Sequence, residues 1–350
     1  MSNKILSNCV NRIKESPTLA ITAKAGKLKS EGRDIIALAA GEPDFDTPDF
    51  IKEAAIKAIK AGLTKYTPVS GLPSLKKAVV KKFKRDNDLE YAMNEVIVGV
   101  GGKQCIFNLF LALLNPGDEV IVPAPYWVSY NDIIELTGAS PLIIKCGIEQ
   151  SFKMTSEQLE KSITTKTKLV VINSPSNPTG SVYSKKELLE LSNILLKYPD
   201  IYIVTDDIYE HIKLDEQSFH NILMVQPKLK NRCIIINGVS KAYSMTGWRI
   251  GFAAGPKTII SAMGILQSQS TSNPTSISQA AAEAALLGDQ SYIKPMLKAF
   301  IERHTFVVNA FNDIDGIDCI RAQGAFYSFP CAKKAIESLY KKGKIKNNDD

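Results

Sequence analysis

Histidine is scarce in this chain and cysteine is never paired. Only three histidines occur in 350 residues (His211, His220 and His304), too few and too scattered for a histidine-rich metal site or a Ser-His-Asp triad. The six cysteines (Cys9, Cys105, Cys146, Cys233, Cys319 and Cys331) form no C-x-x-C pair, which speaks against a disulfide frame or a zinc site and reads as reduced thiols of a cytoplasmic protein. No apolar run approaches the ~18 residues of a membrane span. The first residues, MSNKILSNCVNRIKESP, lack an apolar signal core, so neither secretion nor membrane insertion is expected. Missing too are the G-x-G-x-x-G fingerprint with its downstream acid and the G-x-x-x-x-G-K-[ST] loop, which argues against NAD and ATP.

The chain does have enough apolar residues, 45%, to close a core, and enough length for about two domains at ~150 residues each. Its 43 basic and 36 acidic side chains leave a net +7. The densest basic stretches, Lys76–Lys84 and Lys341–Lys346, hold a single aromatic, Phe83, and lack the repeated interleaving of a single-strand nucleic-acid platform. The first is expected to be a solvated helix face, and no nucleic-acid partner is expected, although a mildly basic surface suits an anionic substrate. The N-terminal forty or so residues read as a basic amphipathic stretch ending in IIALAAG (35–41). Helical periodicity runs through DFIKEAAIKAIKAG (49–62), with Gly62 as its cap, and through 74–86, 101–115 and 184–198. Strands are expected at 95–100, 118–125, 168–175, 200–207 and 232–240. Apolar strands separated by helices imply a parallel sheet covered on both faces. Ligands of such sheets sit beyond the C-terminal strand ends, which is where the reactive residues fall.

Taken one at a time, these residues admit ordinary explanations. Gly101, Gly102 and Lys103 open a helix directly after a strand: an anion cradle of free N–H groups, or only a tight turn. Asn177 lies in SNPTG after a strand, where Asn, Pro and Gly equally make a turn. Asp206 closes a strand and Tyr209 follows on what should be the first helical turn, either as an N-cap and a packed aromatic or as two groups aimed the same way. Lys241 stands just past a strand in GVSKAYSMTGWRIG, a solvated charge or a desolvated amine ready to attack a carbonyl. Arg249 can offer a fork to a phosphate. Trp127, in PYWVSY, is a core ring or a stacking platform.

Together they match one cofactor, pyridoxal 5′-phosphate. It needs a lysine for its aldehyde, an acid for its pyridinium nitrogen and anion donors for its phosphate. Lys241, Asp206, and the Gly101–Gly102–Lys103 turn with Arg249 answer those needs; Asn177 and Tyr209 suit the ring's phenolic oxygen and Trp127 its face.

The motifs GEPDFDTP, KYTPVSG, GGKQ, PYWVSY, NSPSNPTG, TDDIYEH and SKAYSMTGWRIG resemble those of the class I pyridoxal-phosphate aminotransferases, in particular the bacterial branch of aspartate and aspartate/prephenate aminotransferases. The resemblance runs from about Ile13 to Phe329. It implies the α/β fold type I of pyridoxal-phosphate transferases: a three-layer large domain with a mostly parallel sheet (46–285) and a smaller α+β domain built from an N-terminal arm (1–45) and the C-terminal part (286–350). It implies that Lys241 forms the Schiff base and shuttles the proton, that Asp206 pairs the ring nitrogen, that Tyr209 and Asn177 bind the ring oxygen, and that Arg249 and the Lys103 turn hold the phosphate. It further implies a homodimer in which Tyr66 reaches the partner's phosphate. Gly41, Trp127 and Asn177 would line the amino-acid site, Lys103 would meet a distal carboxylate, and Lys14 would help with prephenate. The implied reaction is ping-pong transamination between aspartate and 2-oxoglutarate; a β-lyase or a silent cofactor-binding remnant are the rivals. Family members continue past GAFYSFP (324–330) into a segment whose arginine clamps the substrate α-carboxylate. No arginine follows Phe329 here, so the small domain is expected to be incomplete and substrate docking impaired.

Overall fold

Short runs rich in valine and isoleucine, bounded by Gly, Pro and Asn, become seven strands of one sheet. They are β1 (Val96–Val100), β2 (Glu119–Ala124), β3 (Ser140–Lys145), β4 (Thr167–Asn173), β5 (Tyr202–Asp206), β6 (Cys233–Gly238) and β7 (Ile250–Ala254). The structure, a computed structural model, describes residues 5–15, 17–38 and 40–346. Strand order is β1-β7-β6-β5-β4-β2-β3. β2, β3, β4, β5 and β6 pair in parallel, whereas β7 runs antiparallel to both β6 and β1.

Alternate strand residues feed two cores, as the two-residue period of a strand requires. Cys233 and Ile235 pack toward the helices Asp49–Lys60, Pro73–Asn87 and Lys185–Leu196, while Ile234 and Ile236 pack toward Gly101–Leu113, Ser129–Thr137 and Lys257–Ser268. The result is an α/β/α layering.

Two strands lie outside the runs expected from sequence. β3 is an edge strand with Pro141 near its start and mostly exposed or half-buried side chains, so its apolar pattern is weak. β7 starts on the last two residues of the motif SKAYSMTGWRIG, and Gly251 interrupts its apolar run. That glycine is required, because a Cβ on Gly251 would strike the backbone nitrogen of Gly102. Only bare backbone lets β7 approach the start of the helix Gly101–Leu113 so closely.

Three further expectations need correction. No helix follows β5 at Tyr209: Glu210 N donates to Asp207 O (2.9 Å) and Ile212 N to Tyr209 O (2.8 Å), two successive turns. The basic stretch at 76–84 is not wholly solvated, because Lys82 is 1% exposed and paired with Glu210. The helix Pro17–Ser30 buries none of its described side chains, so it is no amphipathic element packed on this chain's core. The expected tail at 341–350 is described only to Lys346, where it is exposed apart from half-buried Ile345; 347–350, like Ala39 of the IIALAAG run, lie outside the described residues.

Candidate active site

β4 and β5 pair so that Asn173 lies beside Asp206, and β5 pairs with β6 so that Asp206 lies beside Ile236. The C-terminal ends of three parallel strands therefore stop at one level, and the loops after them carry Asn177, Tyr209 and Lys241. Sequence reasoning misses the residue that fixes the first. Asn173 spends its amide on Asp206 O (2.8 Å) and its carbonyl on the backbone N–H of Asn177 (2.8 Å), which ties the SNPTG turn to β5.

The Asp206 carboxylate is buried, and burial pushes its pKa up to about 6. The hydroxyl of Tyr130 (2.6 Å) and the backbone N–H of Ile208 (3.3 Å) donate to it and oppose that rise, as does the charge of Lys241. Sequence reasoning misses Tyr130 as well, although it stands three residues after Trp127 in PYWVSY, at a spacing that brings side chains together at a helix start. The two rings meet edge to face at 5.4 Å.

Lys241 is half-buried, and desolvation lowers its pKa to about 8; Arg249 lowers it further, while Glu42 and Asp206 oppose. Its ammonium donates to the carbonyl of Gly41. The Tyr209 and Phe326 rings lie 5.7 and 5.8 Å from Nζ. Tyr209 has its phenol pKa raised by burial and by the hydroxyl of Tyr327 at 2.6 Å, against a hydrogen bond from the Asn177 side chain.

The third group gathers at the first turn of Gly101–Leu113. Arg249, in a left-handed backbone conformation (φ 56°), donates Nη1 to Thr246 O (2.9 Å) and lays its guanidinium on Gly101, where a Cβ would come within 2.9 Å of Cζ. Lys103, on the open side of this turn, sits with Nζ 5.0 Å from the Trp127 ring; partial desolvation and then Arg249 lower its pKa. Arg249 thus depresses both Lys103 and Lys241, so like charges converge on a helix N-terminus that is itself positive. Such a place awaits an anion.

Two expected site residues stand apart from this gathering. Tyr66 is 92% exposed. Lys14 lies on an exposed N-terminal segment.

Residues 33–346 match the family aminotransferase class I and II. The chain belongs to that family. It is 58% identical over 345 residues to the aspartate/prephenate aminotransferase of Nitrosomonas europaea, covering 99% of this chain and 87% of the relative. A probable aspartate/prephenate aminotransferase of Rickettsia felis is 53% identical over 346 residues, 99% of this chain and 85% of that one. Among solved structures, the aspartate aminotransferase of Rhizobium meliloti superposes with a TM-score of 0.91 at 48% identity, covering 93% of this chain and 82% of its own. That of Thermus thermophilus with maleate gives 0.89 at 42%, covering 93% and 84%.

This family implies pyridoxal phosphate, and the residues of this aminotransferase fit it. A dianionic phosphate would meet converging positive charge at Gly101, Gly102 and Arg249, where neither Gly101 nor Gly251 carries a Cβ. A pyridinium would suit the buried Asp206, whose charge lacks a counter-ion in contact among the described residues. An aldehyde would find in Lys241 an amine already inclined to lose its proton.

Proposed function

We propose that this chain transfers the amino group of aspartate to a 2-oxo acid, first 2-oxoglutarate and in addition prephenate, with pyridoxal phosphate held by Lys241, as a cytoplasmic homodimer. The observation that carries the reading is Lys241 itself: an amine with a pKa of about 8, between a buried carboxylate and a guanidinium at the ends of β5, β6 and β7. When bound, the cofactor supplies an aldehyde for that amine and a sink for the electrons of the substrate's Cα–H bond. Lys241 Nζ would hold the aldehyde and, as the amine of the site, would take the proton from the substrate's Cα and return it. Asp206, its carboxylate aimed by the Tyr130 hydroxyl, would hold the proton of the ring nitrogen. Tyr209 and Asn177 donate to the ring oxygen. Gly101, Gly102 and Lys103 present their N–H groups to the phosphate, and Arg249 adds its fork.

Gly41, Trp127 and Asn177 would line the amino-acid side, Lys103, with Nζ 5.0 Å from the Trp127 ring, would meet a distal carboxylate, and Lys14, on its exposed segment, would help with prephenate. The assembly rests on Tyr66 together with Ile36 (83% exposed) and Leu38 (89%), large apolar groups that a second copy would cover. Residues 46–285 would be the cofactor-carrying domain, and 1–45 with 286–350 the smaller one.

The test is the absorbance of purified protein with pyridoxal phosphate, before and after aspartate. A yellow band that bleaches with release of an equivalent of oxaloacetate is expected. A band indifferent to aspartate overturns the donor assignment, pyruvate and ammonia formed from a β-chloro amino acid without acceptor would make it a lyase, and absence of any band overturns the cofactor.

A further inference from the structure

One hydroxyl at the site, that of Tyr327, has no role of its own in the reaction above and pairs with the hydroxyl of Tyr209, which has one. Tyr327 follows Gly324–Ala325–Phe326, a segment fastened to both loops that carry the ring-oxygen donors. Gln323 N and Gly324 N donate to Gly180 O (3.0 and 2.9 Å) at the end of SNPTG, and Ala325 N donates to Ile212 O (2.9 Å) just after Tyr209. The Gln323 side chain adds a fourth tie, its Oε1 accepting from Val182 N (3.4 Å).

His304 braces the same segment from the helix Ile293–Asn312: its Nε2 accepts from Ala322 N (2.9 Å), and its Nδ1 lies 3.1 Å from Ser328 Oγ. Held this way, the Tyr327 ring meets the Tyr209 ring nearly at right angles (5.7 Å, 78°), and the two hydroxyls stand 2.6 Å apart. On its other side, Tyr327 Oη occupies the space that a side chain at Gly41 would need, 2.7 Å from a Cβ there.

A phenol has one proton to give and two lone pairs to receive. If Tyr209 gives its proton to the ring oxygen of the cofactor, the short contact with Tyr327 survives only with Tyr327 as donor. We propose that Tyr327 is a positioning residue: its hydroxyl donates to Tyr209 Oη, turns the Tyr209 proton toward the cofactor's ring oxygen, and strengthens that bond by polarising it. The inference rests on the cofactor reading above. Donors in series polarise one another, so the effect reaches the ring oxygen although Tyr327 acts through Tyr209. Asp206 and Lys241 are the charged neighbours of the pair, Glu42 and Arg249 are the further charges that act on Lys241, and none of these four is a hydrogen-bond partner of the Tyr327 hydroxyl.

The experiment is a pH titration of the yellow adduct between Lys241 and pyridoxal phosphate, in wild type, Tyr327→Phe, Tyr209→Phe and the double variant. Its readout is a spectrum and needs no turnover. Weakening the hold on the ring oxygen's negative charge leaves the adduct's nitrogen more basic. Tyr327→Phe is therefore expected to raise the midpoint by about 0.5–1 pH unit, three- to ten-fold in proton affinity, the size of one neutral hydrogen bond. In the Tyr209→Phe background the same change is expected to add nothing. An incorporated fluorotyrosine at 327, of similar shape but a stronger donor, is expected to lower the midpoint, which keeps the test open should the phenylalanine variant fold poorly. The proposal is overturned if Tyr327→Phe leaves the midpoint in place, if its shift persists unchanged without the Tyr209 hydroxyl, or if the fluorotyrosine moves nothing. A wild-type protein that forms no titrating adduct would sink the cofactor reading instead, a distinct outcome.

Discussion

Two polar clusters are built on the same short segment, Thr205–His211, and they are opposites. Asp206 and Tyr209 face the candidate site, while Asp207, Glu210 and His211 turn to the other side. There the charges are matched within the protein at every carboxylate but Asp207, which has only neutral donors in contact and whose pKa burial pushes up to about 8. Asp207 accepts from Thr205 Oγ1 (2.6 Å) and Asn221 Nδ2 (2.7 Å). Glu210 pairs with the buried Lys82 and accepts from Asn87 (2.9 Å) and Asn237 (2.9 Å); Lys82 also donates to Asn87 Oδ1 (2.8 Å). Burial pushes the Glu210 carboxyl up, yet Lys82, His211 and these donors outweigh it and leave it below its ordinary range. Burial likewise acts to raise Asp86, but His211 Nε2 at 3.0 Å and Arg85 at 2.6 Å hold it low. Asp86, Glu210 and His211 come close enough to suggest a cation site, but the Lys82 ammonium already fills that role. At the candidate site, by contrast, Arg249 repels both Lys103 and Lys241, and Asp206 lies buried with only neutral donors in contact. Around Lys82 the carboxylates of Glu210 and Asp86 find their counter-charges within the protein, whereas the charges at the candidate site are left for a charged ligand to meet.

The comparison breaks most visibly at Lys82. Lys82→Met should destabilise the protein by about 3–5 kcal/mol, because it strands the Glu210 carboxylate in the core. Chemical denaturation measures it. A loss below about 1 kcal/mol would mean that the cluster is not a matched unit. Lys82→Met with Glu210→Gln should recover much of the loss, since no unpaired charge remains.

Asp206 sharpens the contrast by acting in the opposite direction. Its folded pKa of about 6 lies above the ordinary 3.8, so the folded state binds that proton more tightly than the unfolded chain does. Stability from this group is complete below about pH 4 and is lost as pH rises through about 6. Asp206→Asn should therefore stabilise the cofactor-free protein at pH 8 by about 2–3 kcal/mol, since each tenfold change in proton affinity is worth ~1.4 kcal/mol, with the gain fading toward pH 4. With pyridoxal phosphate bound the sign should reverse, since the pyridinium loses its counter-ion. Thermal melts at the two pH values, with and without cofactor, decide it. A variant less stable than wild type in the cofactor-free form at pH 8 would show that Asp206 is already compensated.

What is legible in the sequence, and what is hidden there, follows the same division. The strands β1, β2, β4, β5 and β6 are legible because each is an apolar run ending in turn residues, and the reactive residues are legible because they cluster after those ends. Tyr130, Asn173 and Tyr327 are not, because their importance lies in partners: Tyr327 meets Tyr209 across 118 positions and Tyr130 meets Asp206 across 76. Lys82 looks like one more solvated lysine of a basic helix, and only Glu210, brought in on the loop after β5, makes it a core residue. The turn at Tyr209 imitates a helix start for a related reason. Asp206 resembles an N-cap locally, but its two oxygens are engaged by Tyr130 and Ile208 N in a turn that the strand ends impose.

The smallest expected effect tests the repulsion itself. Burial lowers Lys241 to about 8, with Arg249 adding to the fall and Glu42 and Asp206 resisting it. Below that pH the amine carries a proton and cannot attack an aldehyde; above it the lone pair is free. Attachment of free pyridoxal, which has no phosphate for Arg249 to bind, should accelerate as pH rises through about 8 and level off above. Arg249→Gln removes one positive neighbour from an otherwise unchanged pocket. The midpoint should then move up by about half a pH unit, toward the ordinary lysine value, because the ammonium form is no longer opposed by that charge. Stopped-flow absorbance with pyridoxal over pH 6–10 resolves such a change, a range set by the ordinary lysine pKa of about 10.4. A midpoint that stays put would assign the depression to burial alone, and the convergence of like charges would then belong to the phosphate and not to the lysine.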